Sequence, residues 1–323
     1  MYGQPRNTLP KKERLCGKTG ISLLLAKGRY GNVPGLKYCC LSDNGQTVNS
    51  NLFFADSPFH VARTGYLYLT RSTDGGASWS APQLLNLKTN QEMVCLVGPG
   101  RGIVTYKGDQ PCIVFPIYSY NGSNDSQRTG FIYSDDEGAT WNRVDSTVSW
   151  SSESAVVELW DSTLRFFYRN GSSQLKYVDY TWDGGWDTPQ TTGIATNSNT
   201  QISAISLLKT VDDQQVILVS CPAGPSGGSN QSGASYRTNG KIFLFTVDEN
   251  TGAMTKKGEL SVPSVHSDNS FMYSCMTALI DHEGNETGDI SILYEDQESN
   301  WGNGCYQMSY KTLHVDVGVC RQG

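Results

Sequence analysis

Ser72-Thr-Asp-Gly-Gly-Ala-Ser-Trp79 recurs as Ser134-Asp-Asp-Glu-Gly-Ala-Thr-Trp141, which begins 62 residues further along the chain. A shortened third copy is Thr181-Trp-Asp-Gly-Gly-Trp186. Each copy follows a strand-like run and suits a hairpin turn, because Asp accepts hydrogen bonds from loop amides, Gly takes a positive φ and Trp packs beneath the sheet. An internal repeat determines the architecture of a chain. The repeat therefore predicts several antiparallel β-sheets of similar construction.

The chain around these copies also reads as short strands. From Leu52 onward, alternating apolar runs recur between turn clusters, as in Ile113-Val-Phe-Pro-Ile-Tyr118 and Val216-Ile-Leu-Val-Ser220, and this spacing is typical of β-meanders. No segment keeps a helical apolar stripe over three turns, so we expect any helices to be brief. With 34 glycines, 17 tyrosines and only 17% charged residues, the 323-residue chain is predicted to be all-β.

Composition excludes several classes of function. The formal net charge is −6 and no long basic run is present, so the sequence lacks the positive surface that nucleic-acid binding needs. No run of eighteen apolar residues occurs, which argues against a membrane-spanning helix. The nine cysteines form no C-x-x-C pair and the four histidines show no ligand spacing, so we expect buried free thiols, no metal and no cofactor.

The repeated turn resembles the Asp-box, or BNR repeat, of sialidases and other β-propellers, where it lies on the outer turn of a four-stranded blade. The resemblance to bacterial-type exo-sialidases spans roughly residues 52–318 and is closest in pattern to the large, intramolecular trans-sialidase type. It implies an all-β, six-bladed propeller.

The segment Ser152-Glu153-Ser-Ala-Val-Val-Glu158-Leu159 resembles the E-x-x-V-V-E-L element of sialidases, which an arginine follows sixteen residues after the first glutamate. Here that glutamate is Glu153 and that arginine is Arg169. Strand alternation predicts that both emerge near strand ends, where propeller sites are built.

Three further elements follow in the order that the family has. Arg237-Thr-Asn-Gly240 resembles the R-x-N-G element that supplies another pocket arginine, Tyr273-Ser274 resembles the Y-S element that carries the nucleophile, and Leu293-Tyr-Glu295 resembles the strand whose glutamate supports an arginine. Two loops, Gly98-Pro-Gly-Arg-Gly102 and Phe115-Pro-Ile-Tyr-Ser-Tyr120, resemble segments that border the pocket, although plain turns explain them equally well.

The chemistry of sialic acid explains why these residue types occur together. Its anomeric carbon bears a carboxylate, which arginines bind bidentately and thereby orient. That charge repels a carboxylate nucleophile but not a neutral tyrosine, whose proton a nearby glutamate accepts. The resemblance thus implies that Tyr273 is the nucleophile, Glu153 the base, Arg169 and Arg237 the carboxylate ligands, and Glu295 a supporting residue, with retention of configuration.

The front of the chain departs from the family pattern. The family has an early arginine in an R-I-P-like motif and then an aspartate that acts as general acid. The nearest counterparts are Arg29, three residues further from its proline than the motif has it, and Asp56, which the expected arginine does not follow. Asn51-Leu-Phe-Phe-Ala-Asp-Ser-Pro-Phe59 resembles the sequence after a small inserted domain. We therefore interpret residues 1–50 as an irregular remnant of that insertion, residues 51–323 as the catalytic propeller, and the first blade as missing.

The function expected from this resemblance is release of terminal α-linked sialic acid from glycoproteins, glycolipids and oligosaccharides. The alternatives are an impaired fragment of such an enzyme and a non-enzymatic Asp-box propeller that binds sialylated glycans. The family implies that the full-length protein is secreted or displayed at the cell surface, although the apolar run Ile21–Ala26 is too short for a signal peptide. Linkage preference and the form of the released sugar stay open.

Overall fold

The computed structural model confirms the all-β prediction. It describes residues 20–26, 40–41, 47–48, 66–74, 77–89, 92, 94–98, 100–121, 127–170, 172, 174–195, 200–223, 237–264, 270–297 and 306–315. In chain order the strands are β1 (Gly20–Ala26), β2 (Cys40–Leu41), β3 (Thr47–Val48), β4 (Tyr66–Ser72), β5 (Gln83–Leu85), β6 (Val94–Val97), β7 (Ile103–Lys107), β8 (Gln110–Tyr120), β9 (Arg128–Ser134), β10 (Asn142–Asp145), β11 (Ser154–Glu158), β12 (Leu164–Tyr168), β13 (Gln174–Thr181), β14 (Gly185–Trp186), β15 (Gln190–Ala195), β16 (Ser203–Val211), β17 (Gln214–Pro222), β18 (Gly240–Val247), β19 (Met254–Ser261), β20 (Ser274–Ile280), β21 (Glu286–Gln297) and β22 (Tyr306–His314).

These strands form five antiparallel sheets and one two-stranded ribbon. In chain order the sheets are β1-β4-β5; β6-β8-β9-β10, with β7 also paired to β8; β11-β12-β13-β14, with β15 also paired to β13; β16-β17-β18-β19; and β20-β21-β22. The ribbon is β2-β3. In sheets two to five nearly every strand pairs with the one before it in the chain, which is the connectivity of a β-meander. We call the five sheets blades one to five.

Each blade packs its face against the next, and this is the propeller arrangement. Four clusters of buried side chains join the blades in sequence, the first between blades one and two and the last between blades four and five. Strand alternation directs neighbouring residues into different clusters: Phe166 packs toward blade two with Phe131, whereas Phe167 packs toward blade four with Phe243. The β-propeller prediction is therefore confirmed.

The two full copies of the repeated turn lie where the motif predicts them, between the last two strands of a blade, whereas the shortened copy joins β13 to β14. Asp136 accepts hydrogen bonds from Thr140 N at 2.8 Å and from Ser134 Oγ at 2.7 Å. Gly138 has a φ of 86°, and Trp141 packs against the core between blades one and two. Asp74 makes the same bonds, but Trp79 is 47% exposed, so the tryptophan of the first copy is only partly buried.

Two features of the described residues refine the sequence analysis. Gly20–Ala26, inside the segment interpreted as irregular, is a strand that pairs antiparallel with Tyr66–Ser72. Seven residues are enough for a strand of average length, although this run was too short to be a signal peptide. The division at residue 50 stays a prediction. Cys95, Cys112 and Cys221 are buried free thiols and Cys275 is a half-buried one, and no described helix has the length and apolarity to cross a membrane.

Candidate active site

Glu153 and Arg169 lie opposite each other at one end of blade three. Glu153 directly precedes β11, Arg169 directly follows β12, and Ser154 pairs with Tyr168 in the register between them. The pairing continues beyond the strands, since Arg169 N donates to Glu153 O at 2.8 Å and Ser152 N donates to Arg169 O at 3.1 Å. The sixteen-residue spacing in the sequence thus places both side chains at the same strand ends.

Tyr273 and Glu295 are joined in the same way in blade five. Tyr273 directly precedes β20, and Glu295 lies in β21. Met272 N donates to Glu295 O at 2.9 Å, and Glu295 N donates to Tyr273 O at 3.0 Å. The main chain of the predicted nucleophile is therefore fixed by that of the predicted supporting glutamate.

Arg237 reaches the site from the start of β18. Phe271 N donates to Arg237 O at 2.7 Å, and the next residue, Thr238, forms a β-bridge with Ser270. The Arg237 side chain is buried, and its guanidinium carbon lies 5.4 Å from the ring centre of Tyr273. This distance is within cation–π range, so Arg237 lies over the face of the phenol.

The Arg169 guanidinium links the predicted base and the predicted nucleophile directly. Its Nη1 donates to Glu153 Oε2 at 2.8 Å and to Tyr273 Oη at 3.1 Å. The carboxyl group of Glu153 is almost fully buried, with 8% of its side chain exposed, which strengthens its ion pair with Arg169. The structure thus brings together Glu153, Arg169 and Tyr273 from two blades.

The pKa values in the site follow from burial and from these neighbours. Burial and the negative charge of Glu153 raise the pKa of the Tyr273 phenol to about 12, although Arg169 and Arg237 act to lower it. Burial alone would lower the pKa of Arg169, but the charges of Glu153 and Tyr273 outweigh it and raise that pKa. At neutral pH the phenol is therefore protonated and the guanidinium is charged.

Glu295 lies within electrostatic reach of both sides of the site. Burial raises the pKa of its carboxyl, Arg237 lowers it and Glu153 raises it. The net shift is upward, so burial and the like charge outweigh the arginine. The expected support of an arginine by Glu295 is consistent with the nearby charge of Arg237 and stays a prediction.

The two segments that the sequence analysis left open lie beside the site, and the second, Phe115-Pro-Ile-Tyr-Ser-Tyr120, is the end of strand β8 and not a loop. A Cβ at Gly98 would come 3.3 Å from Ser154 O and 3.7 Å from the Cα of Glu153, so this glycine permits the loop to lie directly on the base's main chain. Tyr118 is buried, and its pKa is raised well above the usual value by burial and then by the charges of Glu153 and Tyr273. The sequence analysis gave Tyr118 no role of its own, because a tyrosine in an apolar strand is usually core.

Gln201 is a site neighbour that sequence analysis missed. It lies just before β16, and its Oε1 accepts from Ser274 N at 2.8 Å, directly after Tyr273. A single glutamine before an apolar strand gives no sequence signal. Arg29 and Asp56 lie outside the described residues, and so do Ser235 and Tyr236 beside Arg237.

Known proteins are similar to this chain over most of its length. A family model described as a BNR repeat-like domain matches residues 49–288. The anhydrosialidase of Macrobdella decora is 32% identical over 267 residues, which cover 78% of this chain and 32% of that protein. Sialidase B of Streptococcus pneumoniae is 26% identical over 301 residues, which cover 85% of this chain and 37% of that protein. The chain thus spans about a third of the length of these relatives.

A solved structure shows the same fold. The crystal structure of the intramolecular trans-sialidase from Ruminococcus gnavus, in complex with oseltamivir carboxylate, is similar with a TM-score of 0.63 at 28% identity. The match covers 92% of this chain and 60% of that chain. The architecture of the five blades therefore recurs in a longer chain of known structure.

Proposed function

The chain belongs to the bacterial-type sialidase family, and we propose from this premise that it releases terminal α-linked sialic acid from sialylated glycans, with Tyr273 as nucleophile and with retention of configuration. The observation that carries the proposal is the contact of one Arg169 nitrogen with both Glu153 and Tyr273. A buried base, a phenol and an arginine in contact form the set that attack on a carboxylated anomeric carbon needs.

In the proposed complex, Arg169 and Arg237 bind the substrate carboxylate. Arg169 is partly exposed, with 24% of its side chain accessible, so its guanidinium is able to meet a ligand while it keeps its bond to Glu153. A bidentate pair between guanidinium and carboxylate is directional and therefore fixes the sugar ring relative to Tyr273. Because both arginines contact Tyr273, the anchor point and the nucleophile lie in one cluster.

The first chemical step joins the phenol oxygen to the anomeric carbon. The Tyr273 pKa of about 12 keeps the phenol neutral, so the negative substrate does not repel it before reaction. As Tyr273 Oη bonds to the anomeric carbon, Glu153 accepts the phenol proton. The bond to the aglycone oxygen breaks, and the aglycone leaves with the bonding electrons and takes up a proton from solvent. Two positive guanidiniums beside Tyr273 stabilise the charge that develops on its oxygen.

The second step releases the sugar. A hydroxyl oxygen, from water or from the sugar itself, attacks the anomeric carbon and its proton passes to solvent, while the bond to Tyr273 breaks and Glu153 returns its proton to the phenol oxygen. Two displacements at one carbon give retention. Substrates of this kind are glycoproteins, glycolipids and oligosaccharides, and we propose that the full-length protein meets them as a secreted or surface protein.

The proposal is tested by hydrolysis of a fluorogenic aryl sialoside, whose leaving group needs little help from a general acid. The folded wild type and the Tyr273→Phe variant are compared with Tyr310→Phe, in which an exposed tyrosine loses its hydroxyl. We expect measurable turnover by the wild type and by Tyr310→Phe, and a loss of about a thousandfold or more in kcat for Tyr273→Phe. A folded wild type without turnover would contradict the proposal and favour the glycan-binding propeller.

A further inference from the structure

The inner edge of β20 has no strand partner in its own blade. In the order β20-β21-β22 the strand lies at the end of the sheet. Its outer edge is held at the site by the two main-chain hydrogen bonds with Glu295. The main-chain amides of Ser274 and Met276 point away from β21. In a strand at the edge of a sheet, such groups have no hydrogen-bond partner on a neighbouring strand.

Side chains from blade four form hydrogen bonds with the main chain along this edge. Ser274 N donates to Gln201 Oε1 at 2.8 Å, and Gln201 Nε2 donates back to Ser274 O at 3.0 Å. Met276 N donates to Ser203 Oγ at 3.0 Å. The amide of Gln201 therefore pairs with Ser274 as the main chain of a neighbouring strand would.

Gln201 is itself held firmly. It is 1% exposed, and its Nε2 also donates to Ile202 O at 2.8 Å. Gly100, from the loop beside Glu153, lies against it, since a Cβ there would be 3.5 Å from the same Nε2. A buried side chain with these bonds has one conformation and therefore restrains the main chain of Ser274.

We propose that Gln201 is a positioning residue for the nucleophile, which fixes the main chain of Ser274 and thereby holds the Tyr273 hydroxyl against Glu153 and Arg169. This inference rests on the proposed role of Tyr273. With Glu295 on one edge and Gln201 on the other, the dihedral angles on both sides of Tyr273 are restrained. Displacement of a reacting group by about 1 Å costs roughly a hundredfold in rate.

A matched control lies at the opposite end of blade four, where it joins that blade to blade three. Gln215 is also buried, at 3% exposure, and also joins blades through its amide: Nε2 donates to Glu158 O at 2.8 Å, and Oε1 accepts from Trp160 N at 3.1 Å. Glu158 is the last residue of β11, whereas Glu153 directly precedes its first residue. The two glutamines thus have similar structural roles at different distances from the site.

The experiment compares Gln201→Met with Gln215→Met, because methionine keeps the length of the side chain and removes its hydrogen bonds. Both variants are expected to lose similar thermal stability. Only Gln201→Met is expected to lower kcat for the aryl sialoside, by about tenfold to a hundredfold, with KM changed less than threefold. Equal kcat values in the two variants, with turnover that Tyr273→Phe abolishes, would overturn the inference and leave the proposed function intact.

A second readout does not depend on turnover. Tyrosine labelled with ¹³C at Cζ gives a resonance for Tyr273 that the Tyr273→Phe variant identifies by its loss. The phenol pKa of about 12 depends on burial and on Glu153. We expect the titration of this resonance to shift toward the ordinary tyrosine value in Gln201→Met and to stay unchanged in Gln215→Met. An unchanged titration in Gln201→Met would overturn the inference even if the chain proved inactive.

Gln201→Glu covers the case in which Gln201→Met does not fold. Its carboxylate still accepts from Ser274 N but no longer donates to the carbonyls of Ser274 and Ile202. We expect a kcat between those of the wild type and of a folded Gln201→Met, and a wild-type kcat together with a wild-type Tyr273 titration would contradict the proposed positioning.

Discussion

The Nη1 atom of Arg169 lies 3.1 Å from the hydroxyl oxygen of Tyr273, although 104 residues separate the two in the sequence. The same nitrogen lies 2.8 Å from Glu153 Oε2. One positive charge therefore holds a buried carboxylate and a buried phenol in a fixed relation, and in a low-dielectric site such contacts reinforce each other. A change in any of the three residues alters the electrostatics of the other two.

Replacement of Glu153 by glutamine is expected to remove the base without removing the shape of the side chain. The kcat for the aryl sialoside should fall by about 10²–10⁴, the usual contribution of a positioned base. Glu158→Gln, at the other end of β11, is the control and should leave kcat within about twofold. If Glu153→Gln keeps more than a tenth of the wild-type kcat, another group accepts the phenol proton.

Arg169→Lys is expected to keep the positive charge and lose the planar guanidinium, which binds a carboxylate through two parallel hydrogen bonds. Lysine contacts a carboxylate as a point charge, so kcat/KM should fall by roughly tenfold to a hundredfold. The control changes the ligand and not the protein. Calorimetry compares the binding of sialic acid with the binding of its neutral methyl ester. The affinity difference between acid and ester should shrink in the variant, and an unchanged difference would contradict carboxylate binding by Arg169.

The raised pKa of Glu295 predicts how stability changes with pH. The folded protein keeps this proton at pH values at which the unfolded chain, with a pKa near 4.5, has lost it. The free energy of unfolding should therefore fall, relative to that of Glu295→Gln, as the pH rises from near 4.5 through the raised pKa. Urea unfolding between pH 4 and 8 measures this. Glu283→Gln, at an exposed position, is the control variant.

The Asp-box turn is expected to contribute stability and not catalysis. Side-chain and main-chain hydrogen bonds from Thr140 lower the pKa of Asp136 from 3.8 to about 2. Its contribution is thus present above the unfolded pKa and is lost as the pH falls from about 4 toward about 2. Asp136→Asn should lower the thermal midpoint at pH 7 by a few degrees and leave kcat unchanged. Asp135→Asn, in the same turn, should have the smaller effect on the midpoint, and the reverse order would exclude this role for Asp136.

Local sequence patterns predicted much of the fold. The two Asp-box copies specify their own turns, because Asp, Gly and Thr bond within a few residues of each other, and the second copy has the predicted geometry in full. The pair Glu153 and Arg169 was also readable, since two residues that flank a hairpin of known register must lie side by side. The strand Gly20–Ala26 was not recognised, because its partner begins forty residues beyond its end.

By itself, the sequence determined the all-β class, the repeated turns and the residues that flank each strand, because hydrogen bonding within a hairpin depends on neighbours in the chain. Only the tertiary structure decided that Arg169 meets Tyr273, that Arg237 covers its ring and that Gln201 completes the open edge of β20. These contacts join different blades. They depend on the packing of one sheet face on the next, which buries apolar side chains whatever their separation in the sequence. A local sequence pattern therefore does not predict which residues of different blades come into contact.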